Sequence, residues 1–209
     1  MMDAEVFFNN VSAYNVSIFP MQIITLVVAI ILTYLLFVRP STGVNKLIKI
    51  YLSFTFIWFA LMFPFEGVLK IIFGLVHIVI AILFFIDIFT AKIEFKFPET
   101  SCKRYFMLFL IFSAFALYPL IEYMSGHSYP TILLFGVAPC PTTIFSLALL
   151  IGAVPKVGKL IFILLIFPAI FSGLSVPIML GVWADLLLLV SGAYGLIILV
   201  KNWKLIGKG

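Results

Sequence analysis

Long apolar runs separated by short polar breaks occupy most of the chain. A helix needs about 20 mostly apolar residues to cross roughly 30 Å of hydrocarbon. Seven stretches fit that length: residues 19–38, 47–65, 71–91, 105–125, 131–153, 158–176 and 180–200. Arg39 and Pro40 end the first, and a charged segment holding Lys92, Glu94, Lys96, Glu99, Lys103 and Arg104 separates the third from the fourth. The uninterrupted run over 160–200 is twice too long for one crossing. Gly173, Pro177 and Gly181 supply the breakers that fold it into a sixth and a seventh helix. The pattern predicts an all-α membrane protein, a single domain over 1–209 built as a bundle of seven transmembrane helices.

Charge supports the count, because cytoplasmic loops collect Lys and Arg. With the amino terminus outside and the carboxyl terminus cytoplasmic, 12 of the 13 basic residues fall on the inner side and only Lys70 falls outside. The net charge of +5 then records orientation and is no nucleic-acid footprint. Composition agrees: 65% of residues are hydrophobic and 10% charged, against about 25% charged in a soluble domain. The 24 Phe exclude a disordered chain, and two Cys exclude a disulfide-stapled module. Asp3 and Glu5 stand where a signal peptide carries positive charge, so none is expected. The expected location is the cell inner (plasma) membrane, with the lipid bilayer as partner and no nucleic acid.

Ionisable groups within spans cost about 2.5–3.5 kcal/mol each on insertion scales and need a reason. Glu66, Glu122, His127 and Asp185 lie near the outer ends of their helices, and His77 lies roughly 10 Å inward along the third. Asp87 belongs to the inner half, where it is expected to reach the interface or pair with a lysine. His77 shares a helix face with Gly67, Lys70, Gly74 and Ala81, and Asp185 aligns with Gly181 and Gly192. Small residues mark close helix packing in lipid, so both acidic and imidazole groups are expected to face protein. Each also has a purely structural reading, as a hydrogen bond between helices.

The strongest local signal is the run from Gly136 to Phe145, in which Pro139 and Pro141 flank Cys140. Each proline removes a backbone donor and disfavours helix at the residue before it. This predicts a fifth helix broken at Pro139, Cys140 and Pro141. Pro141 would begin an inner half-helix, with Cys140 near its cap and the amides of Thr142 and Thr143 free. Broken helices of this kind form substrate and ion sites in transporters. A thiol at a helix amino terminus favours thiolate, suited to a soft metal such as Cu(I) or to nucleophilic attack. The other reading of Cys140 is a small buried residue where prolines crowd the chain. The candidate ligand-binding residues are Cys140, His77, His127, Glu122, Asp185, Thr142 and Thr143. Cys140, His77 and His127 are the metal candidates, with a soft metal ion as the candidate cofactor.

The motifs Tyr118-Pro119, Gly126 to Pro130 (Gly-His-Ser-Tyr-Pro) and Phe135 to Phe145, with Tyr14-Asn15, Phe19-Pro20 and Gln22 near the start, carry a resemblance. The chain resembles an uncharacterised family of prokaryotic multi-pass membrane proteins, designated a domain of unknown function. That family's signature is Gly-His-x-Tyr-Pro followed by Ala-Pro-Cys-Pro-Thr-Thr-Ile-Phe. Ser146 stands where the family carries Thr, which keeps a hydroxyl. The resemblance implies a polytopic inner-membrane protein and no mechanism.

No zincin helix, nucleophile elbow or phosphate-binding loop appears. Retinal chemistry is disfavoured, because Asp185 is the only charged residue over 180–200. The leading expectation is binding or translocation of a small solute or metal ion through an outward-facing polar cavity lined by His77, Glu122, His127, Cys140 and Asp185. The alternatives are an intramembrane enzyme with a Cys140 nucleophile and His77 or His127 as base, and a structural or accessory subunit. Of these, the enzyme is favoured less than the binding protein.

Overall fold

A computed structural model describes residues 4–64 and 67–206. Asp3, Glu66 and Lys208, three of the charges sorted above, lie outside the described residues. The described residues form eight helices and no strand. These are α1 (Ala4–Ser17), α2 (Met21–Val38), α3 (Thr42–Met62), α4 (Gly67–Thr90), α5, α6 (Pro139–Ala153), α7 (Lys159–Leu180) and α8 (Asp185–Lys201). Helix α5 is continuous through Ser101–Phe112, a π-turn over Ser113–Leu117, and Tyr118–Met124. Its one looser turn sits just before Pro119, which has no N–H to give, and the Tyr118 N–H bonds Ser113 five residues back.

Five helices are long and apolar enough to cross a membrane: Met21–Val38, Thr42–Met62, Lys70–Thr90, Cys102–Met124 and Lys159–Leu180. They match five of the seven expected spans. The other two are shorter, with 15 residues in α6 and 17 in α8. Large apolar side chains such as Ile23, Val27, Ile31 and Phe37 are exposed along α2, a surface suited to lipid.

The fifth segment does break, but in a different form from the one expected. No outer half-helix exists; residues 127–138 run as turns and irregular chain, and α6 begins at Pro139 instead of Pro141. Irregular backbone inside a protein needs partners for its polar groups, and here side chains of other helices answer its carbonyls. The Asn15 amide donates to the carbonyls of Pro130 (2.7 Å) and Ile132 (2.9 Å). The Tyr14 hydroxyl donates to that of Val137 (2.8 Å). Gly136 makes the turn at φ +79, and a Cβ there would collide with the Thr25 side chain. From its break inward α6 is the centre of the bundle: α3, α5, α7 and α8 all pack on it, and every residue in it except Cys140 is buried.

Helix α1 was not among the expected elements. Phe7, Val11 and Tyr14, spaced four and three apart, form its buried face. The last apolar run folds back later than expected. Gly173 and Pro177 stay inside α7, and the helix stops at Gly181, whose φ of +73 makes the left-handed cap that favours glycine. Gly173 serves contact instead: a Cβ there would sit 2.5 Å from the backbone nitrogen of Leu189, so α7 and α8 touch at backbone distance.

On the opposite end of the bundle, Lys49 and Asp87 form a buried ion pair at 2.7 Å, as the lysine reading of Asp87 anticipated. Asp87 also accepts from the backbone N–H groups of Lys92 and Ile93. It thereby fixes the chain as it leaves α4.

Candidate functional site

The two prolines decide what the start of α6 can offer. An α-helix leaves its first four N–H groups without internal partners. Ala138, the cap, bonds the Leu134 carbonyl, and Pro139 and Pro141 have no N–H. Only the Cys140 amide is left. Thr142 and Thr143 sit at the fourth and fifth helical positions, where amides bond back into the helix, so the expected free amides are absent. The Thr142 hydroxyl is also engaged, accepting from Gly136 N–H and donating to the Ala138 carbonyl, each at 2.9 Å. Thr142 therefore holds the break together and lies outside the lining of the neighbouring cavity.

Beside this break lies a cavity of about 390 Å³. Its polar wall consists of His77 from α4, Cys140 and Thr143 from α6, and Ser172 and Ser175 from α7. Phe7, Phe63, Phe73 and Met179 cover much of the rest, so the space is mainly apolar. His77 is oriented by its own helix: Nδ1 donates to the Phe73 carbonyl at 2.6 Å, because a carbonyl can only accept. That leaves Nε2 as the acceptor nitrogen of the neutral ring. The ring stacks on Phe56, with centroids 5.7 Å apart.

Cys140 connects the cavity to a second polar group behind it. Its thiol donates to Asp185 Oδ2 at 3.5 Å, and the Tyr118 hydroxyl donates to Asp185 Oδ1 at 2.5 Å. A cysteine acting as donor to a carboxylate is behaving as a thiol, the opposite of the thiolate that a nucleophile or metal ligand requires. One turn after Tyr118, Glu122 is fully buried, with neither carboxyl oxygen hydrogen-bonded. His127 Nδ1 lies 3.4 Å from Glu122 Oε2. Burial lowers the His127 pKa from its ordinary value, and its ring stacks on Phe8 of α1 with centroids 4.2 Å apart.

The seven candidate ligand residues thus separate. His77, Cys140 and Thr143 line the cavity; Asp185 stands behind Cys140; Glu122 and His127 pair with each other; Thr142 is structural. Among the described residues no three His, Cys, Asp or Glu side chains converge as a metal would require. The expected trio of Cys140, His77 and His127 is therefore not assembled, because His127 turns toward Glu122 and Phe8. Tyr14, Asn15 and Thr25 hold the backbone of the break, Gln22 donates to the Asn15 carbonyl behind them, and none of the four was anticipated as a site residue. Their signal in the sequence was the set of amides and hydroxyls, Asn15, Gln22 and Thr25, beside or inside the first apolar run.

Comparison with protein-family models matches residues 4–207 to a family of unknown function, DUF6064. No curated protein and no solved structure matches the chain.

Proposed function

The chain belongs to the DUF6064 family, whose description assigns no activity, and from that premise we propose that it is a membrane protein that binds a small, mainly apolar solute within the bundle. The observation that carries this reading is the cavity of about 390 Å³ with His77, Cys140 and Thr143 on one wall. Ligand pockets are typically about 300–1,000 Å³, apolar, with a few placed polar groups. His77 and the Thr143 hydroxyl would meet the polar part of the solute, while the phenylalanines take up its apolar body. A solute fits this wall better than a metal ion, since the ligand donors do not converge. The same proposal includes seven membrane crossings, with α6 completed by residues 131–138 and α8 as the last, the amino terminus outside and the carboxyl terminus in the cytoplasm. Binding, with or without translocation, is the step the cavity supports.

The test is thermal stabilisation of the purified protein across a panel of small amphipathic solutes. At least one should raise the melting temperature of the wild type. Ser172→Phe, which fills the cavity, should abolish that rise, and His77→Ala should weaken binding up to about tenfold, the loss of one hydrogen bond. A panel that stabilises nothing, or a rise that survives Ser172→Phe, would overturn the reading.

A further inference from the structure

Glu122 and His127 are not used by the cavity, and their arrangement asks for a ligand of its own. Glu122 is 0% exposed, and both of its oxygens lack a hydrogen-bond partner. The Ala184 amide is directed at the carboxyl as a weak backbone donor, and neither oxygen has a partner in good hydrogen-bond geometry. A buried carboxylate left charged and without a good hydrogen bond is penalised more heavily than a neutral polar group in the same place. Among the described residues no Lys or Arg pairs with Glu122 or Asp185.

The neighbouring acid is treated differently. Asp185 uses both oxygens, accepting from Tyr118 and Cys140, and it sits in the first turn of α8, where helix geometry favours a negative charge. An anion at Asp185 further disfavours a second one at Glu122. The titratable groups facing this region are Tyr118 and Glu122 from α5, His127 from the chain after it, Cys140 from α6 and Asp185 from α8. Helix α1, which lays Phe8 on the His127 ring, carries Glu5 one turn earlier, and α7 contributes no titratable group beyond Lys159 at its far end.

One ligand relieves the cost with no new protein contact. We infer that Glu122 and His127 together bind one proton, held between Glu122 Oε2 and His127 Nδ1, and that the charge state of this pair is transmitted through Asp185 and Cys140 to the cavity wall. His127, with its side chain 21% exposed, is the point of exchange with water. The proton enters from a hydronium ion there and leaves by the same route. Cys140 is both the last group of the chain and part of the cavity. The inference concerns these side chains alone and stands whether or not a solute binds.

Infrared difference spectroscopy on the full-length protein, titrated with acid and base, tests it. In a Cys102→Ala background, a protonated-carboxyl C=O band is expected, shifted by ¹³C-labelled glutamate and unmoved by labelled aspartate, and lost in Glu122→Gln. Uniform labelling marks all five glutamates, so the isotope arm is run with Glu5, Glu66, Glu94 and Glu99 changed to Gln, which leaves Glu122 as the only labelled glutamate and decides the matter even if Glu122→Gln does not fold. His127→Gln should shift the midpoint of that band. The S–H stretching band of Cys140 should move with the same midpoint. Absence of a carboxyl band, or one that follows aspartate labelling, would overturn the proton site. An S–H band that stays fixed across that midpoint would overturn its link to the cavity.

Discussion

Single positions in this protein are constrained most strongly where irregular chain runs through the interior. Gly136 combines a positive φ with the nearest approach of Thr25, so Gly136→Ala adds both backbone strain and a clash. We expect it to destabilise the protein by about 2–4 kcal/mol in a denaturation experiment. Gly43→Ala, with nothing closer than 3.8 Å, should be neutral or slightly stabilising. Asn15→Leu leaves the carbonyls of Pro130 and Ile132 unpaired and should cost about 2 kcal/mol. The pair Lys156–Glu94 behaves in the opposite way, being half exposed on both sides at 2.5 Å. Its hydrogen bond holds the Glu94 pKa below the ordinary value. The resulting stability is present above the unfolded carboxyl pKa and is lost as pH falls through the folded one. Glu94→Gln should therefore cost less than about 1 kcal/mol at neutral pH, and the gap from wild type should close in acid.

Among the elements, α6 and the α7–α8 pair carry the architecture. Helix α6 is short because Pro139 sets its beginning, and it is buried because four helices pack around it. Its missing length is supplied by chain that other helices must satisfy, which is why α1 matters despite being too short to span. At the α7–α8 contact the spacing is set by glycine, and a side chain at Gly173 would meet backbone that cannot yield. Gly173→Ala should therefore push the helices apart and cost about 1–3 kcal/mol in thermal or denaturant unfolding. A melting temperature equal to the wild type would mean that this contact is looser than the structure has it.

For the molecule as a whole, the orientation proposal predicts that a carboxyl-terminal fluorescent reporter is active in the cytoplasm and that a phosphatase reporter there is silent; an active phosphatase would reverse it. Much of the fold was legible because its causes are local. Apolar length predicts helices, and prolines around Cys140 predict a break regardless of what surrounds them. Gly181 similarly ends α7 through its own backbone. Gly173 and Pro177 stay inside α7 because a glycine or proline in a helix can serve packing as well as termination, and for Gly173 it is the neighbouring Leu189 backbone that distinguishes the two. The polar residues of the site were recognisable as unusual in apolar surroundings, yet their partners were not. Hydropathy and backbone chemistry within a few residues were enough for the helical class, the presence of a break next to Pro139 and the set of groups that needed partners. It takes the packed fold to bring Cys140 to Asp185 45 residues away, to turn His127 toward Glu122, and to carry Asn15 to the carbonyls of Pro130 and Ile132. Those contacts depend on how helices pack, and packing is a property of surfaces that no local stretch of chain contains.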